Sequence, residues 1–301
     1  MREAFTLHCA AQMDDVSTWL TQNGATVDYV ITSAFNTLSV DAMDAMPNLK
    51  VISNFGVGYD GVDASAACER GILVTHTPDV LNVDVADTAI MLMLACYRDL
   101  VQNDAHARSA GWAESGNLPL SRSASGRRVG IVGLGRIGLE IAQKLSAFDA
   151  KISYHTRTVR DGDFTHFPNL VEMAAQADVL ICIVPGGDST HHMINADVIA
   201  ALGSDGVLIN VARGSVVDQS ALIKALQNGT LGYAGLDVYA DEPNVPQALC
   251  DLPNTILLPH VGSATIETRA AMAQLTVDNL VQHVQGKPVI SPVPECLKLM
   301  V

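Results

Sequence analysis

Charge and aromatic rings are scarce in this chain: 17% of its 301 residues are charged and 5% aromatic, against 49% hydrophobic. So little charge beside so much apolar content excludes a disordered chain and argues for well-packed cores. Positive charge is the scarcer sign. Lys and Arg number 18 against 32 Asp and Glu, a formal net charge of −14, which removes the basic stripe that a nucleic acid or an anionic membrane surface would need. No apolar run is long enough for a bilayer, because the longest, Thr88 to Tyr97, is closed by Asp87 and Arg98. The first ten residues carry Glu3 and no basic segment ahead of a long apolar core, so no signal peptide is expected. The cysteines, at 9, 68, 96, 182, 250 and 296, form no C-x-x-C pair and no zinc spacing. No metal site is expected, and the cysteines read as buried free thiols of a reducing cytoplasm.

What is present is an alternation. Short apolar strands (Ala4 to Cys9, Val27 to Thr32, Leu49 to Phe55, Ile72 to Thr75) are interleaved with helical patterns at Asp14 to Asn23 and Val40 to Met46. A long helix from about Asn82 to Ala107 and a polar stretch, Ser109 to Gly126, lead to a strand ending at Val132 and a helix from Leu139 to Phe148. Strands at Lys151 to Tyr154, Val179 to Val184, Val207 to Val211, Tyr233 to Val238 and Thr255 to Leu258 follow. Such a pattern predicts parallel sheets with helices on both faces. The last helix, Ala264 to Gln285, stops at Gly286 with Pro288 beyond it, and is expected to return to the first domain. The expectation is an α/β chain of two doubly wound parallel-sheet domains: a cofactor domain at residues 97–276 inserted in a substrate domain of residues 1–96 plus 277–301.

After Val132, Gly133-Leu134-Gly135-Arg136-Ile137-Gly138 has the spacing of a dinucleotide fingerprint. Gly133 permits the tight turn, Gly135 lets the backbone approach a pyrophosphate, and Gly138 lets helix and strand pack closely; the helix N-terminus offers N–H groups to the phosphates. Where an NAD enzyme would place an acid for the ribose 2′-OH stand Thr156, Arg157 and Thr158. Hydroxyls and a guanidinium there suit a 2′-phosphate, so the expected cofactor is NADPH.

Three further residues follow the ends of predicted strands, where open α/β sheets bind their ligands. Arg213, in Asn210-Val-Ala-Arg-Gly214, is suited to a planar two-point grip on an α-keto carboxylate. Glu242, in Asp241-Glu-Pro243, could hold one ring nitrogen of His260, fix its tautomer and favour the imidazolium. His260, in Pro259-His-Val-Gly-Ser263, would then protonate a carbonyl oxygen.

Those segments, with Phe55-Gly-Val-Gly-Tyr-Asp-Gly-Val-Asp63 and Val83-Asp-Val-Ala-Asp87, make the chain resemble the D-isomer-specific 2-hydroxyacid dehydrogenase family over nearly its whole length. Within it the chain is most similar to the NADPH-dependent glyoxylate/hydroxypyruvate reductases, including the plant type that also reduces hydroxyphenylpyruvate. The resemblance implies a Rossmann domain inserted in a flavodoxin-like substrate domain, with Arg213, Glu242 and His260 as the catalytic set. It implies that N–H groups around Val57 and Gly58 hold the substrate carboxylate, that Asp237 and Ser263 hold the nicotinamide amide, and that Arg136 and Ile137 lie along the pyrophosphate. The strand ends Val184-Pro185 and Val211-Ala212 complete the cofactor contacts. A homodimer is implied, with Trp112 either reaching the neighbour's substrate pocket or packing the interface. The expected activity is reduction of a small 2-keto acid, glyoxylate or hydroxypyruvate, in the cytoplasm. Alternatives are a hydroxyphenylpyruvate or 2-ketogluconate reductase and, in a different class, a dinucleotide-sensing protein of the corepressor kind. Phosphoglycerate oxidation ranks lower for want of an acid at Thr156, and formate dehydrogenase for want of a longer N-terminal extension.

Overall fold

The computed structural model describes residues 5–33 and 36–299. The chain divides into two compact units, Met1–Leu81 with Ile266–Val301, and Asn82–Thr265. Both borders fall at the start of a long helix, about one helix earlier than the pattern suggested at the first crossing and part of a helix earlier at the second. The physical reason is that a helix goes with the surface its apolar face covers. Asn82–Tyr97 packs on the helix Arg136–Leu145 and on strands of the second unit, and Ile266–Val284 buries Met272, Thr276 and Leu280 on the first unit's sheet.

In the first unit, β1 (Tyr29–Ser33), β2 (Val51–Phe55) and β3 (Leu73–Thr75) form a parallel sheet in the order β1-β2-β3. The helix Ile266–Val284 is fastened to β2 where the Ser53 hydroxyl donates to the Thr276 carbonyl at 2.9 Å. At its far end, buried Asn279 accepts from the Ile290 and Ser291 N–H groups, bringing the following segment beside β3. The strand expected at Ala4 to Cys9 does not form among its described residues, 5–9. Phe5 stands edge-on to Tyr29 and His8 rests on Trp19, while Leu7 is half-exposed, so ring contacts hold the segment where a strand would need a second apolar face.

The second unit contains β4 (Arg128–Val132), β5 (Lys151–His155), β6 (Thr165–His166), β7 (Val179–Cys182), β8 (Val207–Asn210), β9 (Tyr233–Leu236) and β10 (Thr255–Leu257). All pair in parallel, in the order β10-β9-β8-β7-β4-β5-β6. Connections run outward from β4 through β5 on one side and from β7 through β10 on the other, so the order reverses at the C-terminal end of β4, where this architecture binds nucleotides. β7 and β8 are buried along their whole length, as strands covered on both faces must be.

The helix expected from Asn82 to Ala107 is two helices, Asn82–Tyr97 and Leu100–Arg108. Between them Asp99 adopts φ 47°, and its carboxylate accepts from the Tyr233 hydroxyl at 2.6 Å. Of the six cysteines, Cys9 and Cys250 are exposed rather than buried, and all six are free thiols. No helix among the described residues is long and apolar enough to cross a membrane.

One titratable group ties the first unit's stability to pH. The Tyr29 hydroxyl meets His283 Nδ1 at 3.0 Å, and burial, with the Lys50 charge nearby, holds the His283 ring below its ordinary value. The folded unit therefore favours the neutral ring, and the unfolded chain binds more protons between the folded value and about 6.5. Stability should fall as pH drops below about 6.5 and level off once the folded ring is also charged. Denaturant titrations across that range should show the decline in the wild type and a shallower one in His283→Gln.

Candidate active site

Gly133, Gly135 and Gly138 perform three different physical tasks in the turn after β4. Gly133 has φ 102°, and a Cβ there would meet the Ile183 carbonyl oxygen and Val184 Cγ1 at 2.9 Å. A Cβ on Gly138 would lie 2.1 Å from the Gly133 carbonyl oxygen, so helix and strand can approach only through glycine. At Gly135 nothing stands within 4 Å, and no side chain caps the helix Arg136–Leu145 that begins there. Open space in front of an uncapped N-terminus is what a pyrophosphate needs. Gly135→Ala should therefore leave the melting temperature near wild type while weakening dinucleotide binding. Gly138→Ala should lower stability by about 1–3 kcal/mol, as overpacking does, a contrast that thermal melts with and without NADPH would resolve.

The Gly133 N–H donates to the His155 carbonyl, which places the end of β5 beside the fingerprint. The loop beyond β5 is braced from within. Tyr154 is buried and its hydroxyl both accepts from the Arg160 N–H and donates to the Arg160 carbonyl, while the Thr156 carbonyl accepts from His166 and the Thr156 hydroxyl donates to the Thr158 carbonyl at 2.6 Å. Arg157 is exposed at the tip of this loop and has no hydrogen bond or ion pair among the described residues. Val184 packs against Gly133, and Val211 and Ala212 are buried at the end of β8. These residues fit a dinucleotide carrying a 2′-phosphate.

His260, Glu242 and Arg213 converge beyond β8, β9 and β10. His260 Nδ1 stands 2.6 Å from Glu242 Oε2, and the other carboxylate oxygen accepts from the Tyr239 N–H at 2.9 Å. Burial works to raise the Glu242 pKa, but the His260 ring, the Tyr239 N–H and the Arg213 charge outweigh it and hold the carboxyl below its ordinary value. Arg213 is oriented by its chain: the Asn210 amide donates to the Arg213 carbonyl and accepts from the Ala212 N–H, and the guanidinium donates to the Ala212 carbonyl. A Cβ on Gly214 would lie 1.8 Å from the Tyr239 carbonyl oxygen, so the arginine loop lies flush against the loop leading to Glu242.

Buried Asp237 sets the histidine turn. Its carboxylate accepts from the Val261 N–H at 2.7 Å and the Gly262 N–H at 2.8 Å, and its carbonyl accepts from the His260 N–H. His260 itself sits at φ 53°, a left-handed conformation that these bonds hold in place. Burial pushes the Asp237 carboxyl up although the two N–H groups and His260 oppose it. Two of the carboxylate's roughly four lone-pair sites remain for a further donor. The nearby hydroxyl of Tyr239 donates to the Leu258 carbonyl at 2.9 Å, joining the glutamate loop to the strand before the histidine. Sequence reasoning missed Tyr239 and the bracing role of Asn210; both lie inside or beside motifs already marked, but no spacing signals a hydroxyl reaching across strands.

Val57 and Gly58 belong to the first unit, in the loop after β2. The loop's carbonyls are turned inward: Asn54 Nδ2 donates to those of Gly56 and Gly58, His76 Nδ1 lies 3.0 Å from that of Val57, and the Thr77 N–H also donates to that of Gly56. The N–H groups of Val57 and Gly58 carry no hydrogen bond among the described residues. Asn54, His76 and Thr77 are missed positioning residues, buried or half-buried and silent in the sequence pattern. Trp112 is not gathered with the second unit's catalytic residues. It lies on the short helix Gly111–Ser115, two-thirds exposed, its indole N–H donating to Asn117.

A Rossmann sheet with an arginine, a glutamate and a histidine beyond its strand ends defines a dinucleotide-dependent oxidoreductase. The family model "D-isomer specific 2-hydroxyacid dehydrogenase, NAD binding domain" matches residues 90–262. A hydroxyphenylpyruvate reductase of Plectranthus scutellarioides is 48% identical, the match covering 84% of this chain and 81% of that protein. A 2-ketogluconate reductase of Gluconobacter oxydans is 42% identical over 97% of this chain and 93% of its own. Among solved structures, an NADPH-dependent glyoxylate/hydroxypyruvate reductase of Sinorhizobium meliloti, in complex with NADP and malonate, is 54% identical with a TM-score of 0.87, covering 90% of this chain and 85% of that one. The chain belongs to the D-isomer-specific 2-hydroxyacid dehydrogenase family.

The Glu242–His260 pair carries a pH signature of its own. Because the folded carboxyl is held below its unfolded value near 4.3, the pair's contribution to stability is present above about pH 4.3 and is lost as pH falls through the folded value. Glu242→Gln should fold, keep NADPH binding, lose that acid-side dependence and lower kcat by about 10- to 100-fold, with His260→Gln costing about 100-fold or more. Acid titrations of stability beside steady-state kinetics would check both.

Proposed function

We propose that this protein reduces small 2-keto acids, glyoxylate and hydroxypyruvate foremost, to the D-2-hydroxy acids with NADPH. The observation that carries the reading is the 2.6 Å pair of Glu242 and His260, with the Arg213 charge acting on the same carboxylate. When bound, the dinucleotide would supply a hydride to the carbonyl carbon. Arg213 polarises the carbonyl and neutralises the substrate's carboxylate, His260 delivers a proton to the carbonyl oxygen, and Glu242 keeps the ring oriented for it. Val57 and Gly58 are assigned to the substrate carboxylate through their N–H groups. Asp237 and Ser263 are assigned to the nicotinamide amide, and Arg136, Ile137, Val184, Pro185, Val211 and Ala212 to the remainder of the dinucleotide.

Support for NADPH over NADH comes from Arg157, exposed and unpaired between two threonines where an acid would repel a 2′-phosphate, and from the NADPH-dependent relative. The hydroxyphenylpyruvate and 2-ketogluconate reductases among the relatives favour a second reading, in which bulkier 2-keto acids are also substrates. The same reading takes the enzyme as cytoplasmic and as a homodimer. Exposed Leu100, Val101, Trp112 and Leu120 support the latter, since apolar side chains so concentrated in one segment suit a partner surface.

Loss of NADPH absorbance across a panel of 2-keto acids, repeated with NADH, tests the proposal. NADPH should exceed NADH in kcat/KM, and Arg157→Ala should weaken NADPH alone, by about 1.5–3 kcal/mol for a lost charge-assisted bond. Equal losses for both dinucleotides would remove Arg157 from the cofactor site, and no turnover of any 2-keto acid would overturn the function.

A further inference from the structure

The first turns of the helix Ile266–Val284 carry a guanidinium that makes no ion pair among the described residues, Glu267 of the same turn included. Arg269 is half-buried, its guanidinium carbon lies 5.5 Å from the centroid of the Phe55 ring, and it has no hydrogen bond or ion pair among the described residues. The other described arginine of this unit, Arg70, is by contrast fastened to Asp44 at 2.7 Å. In a chain of net charge −14, an arginine laid on an aromatic face rather than on a carboxylate keeps its donors for another acceptor. Phe55 is the last residue of β2 and runs directly into Gly56, Val57 and Gly58. Arg269 is thereby held next to the loop whose N–H groups take the substrate carboxylate in the function proposed above, and the inference rests on that reading.

The chemistry of the two small substrates decides what such a group would do. In glyoxylate the carbonyl carbon bears only hydrogen beyond the carboxylate, so a donor placed past the carboxylate finds no acceptor. Hydroxypyruvate carries a hydroxymethyl group there, and a hydroxyl oxygen offers two lone pairs to a donor. Pyruvate has the same size at that position without the oxygen. We propose that Arg269 is a specificity residue whose guanidinium, oriented by the Phe55 ring, donates to an oxygen on C3 of the 2-keto acid. The substrates it favours are 2-keto acids hydroxylated at C3, a class that includes sugar-derived keto acids.

Kinetics of Arg269→Gln and Arg269→Lys with glyoxylate, pyruvate and hydroxypyruvate, each with NADPH, test this. In Arg269→Gln, kcat/KM for hydroxypyruvate should fall about 10- to 100-fold further than for glyoxylate or pyruvate, as when a hydrogen bond to a charged group is lost. The KM for NADPH should stay at its wild-type value. Arg269→Lys should recover part of the loss, since a point charge replaces the charge but not the planar fork. Equal losses across the three acids, with or without a lowered melting temperature, would show that Arg269 serves the common carboxylate or the fold, and would overturn the inference while leaving the function standing. Unchanged kinetics would overturn it as well. A wild type that reduces none of the three acids would overturn the function and the inference together.

Discussion

Asp237 brings a buried carboxylate to the end of β9 and spends both of its oxygens on the backbone of the neighbouring turn, at Val261 and Gly262. A carboxylate in that position is tolerable only when its oxygens find donors, because an unpaired buried carboxylate costs several kcal/mol, on the order of the stability of a whole domain. The turn is thereby dictated. Gly262 has no alternative, since a Cβ there would meet Asp237 Oδ2 at 2.9 Å, and His260 is drawn into a left-handed conformation with its N–H on the Asp237 carbonyl. Only with that backbone in place does the imidazole meet Glu242. The ring is oriented by a lattice of buried hydrogen bonds that begins one strand away from it.

The same economy governs how a strongly acidic chain receives anionic ligands. In the function proposed above the attractive groups are dipoles and guanidiniums set in place one at a time: the uncapped helix N-terminus after Gly135, the Val57 and Gly58 N–H groups left over when Asn54, His76 and Thr77 take the loop's carbonyls, and Arg157 and Arg213. Backbone dipoles act at hydrogen-bonding range, and the field of distant acids is screened within about 8–10 Å at physiological salt. Net charge therefore sets solubility and long-range approach, while a few fixed donors set binding.

Sequence and structure agree most closely where a residue's burden is local. β7 and β8 are legible as apolar runs, broken only by Asn210 at the end of β8, because both faces are covered, and at Gly133 and Gly138 the backbone is too close for any larger side chain. Arg213, Glu242 and His260 could be picked out because strand ends announce where their loops begin. Features fixed by distant partners left no such trace. The helix break at Asp99 depends on a tyrosine 134 positions away, with neither glycine nor proline to mark it. The unit borders depend on which sheet a helix covers, and the N-terminal segment on rings that happen to face Tyr29 and Trp19. Asn54 looked like one more strand residue; its amide matters only because two carbonyls of the next loop turn back upon it.

The first unit is closed by the Ser53 hydroxyl donating to the Thr276 carbonyl across a sequence separation of 223 residues, whereas the second unit is one uninterrupted segment. Loop-closure entropy grows with such separation, and domains emerge from synthesis in order. The dinucleotide unit has all its strands once residue 257 has been made, while β2 still waits for the helix that will cover it. For that interval Val51 and Ile52, fully buried in the finished protein, have no helix over them. The insertion that gives the chain two domains thus also fixes an order of birth: the half that binds the cofactor matures first, and the half that begins the polypeptide is the last to be finished.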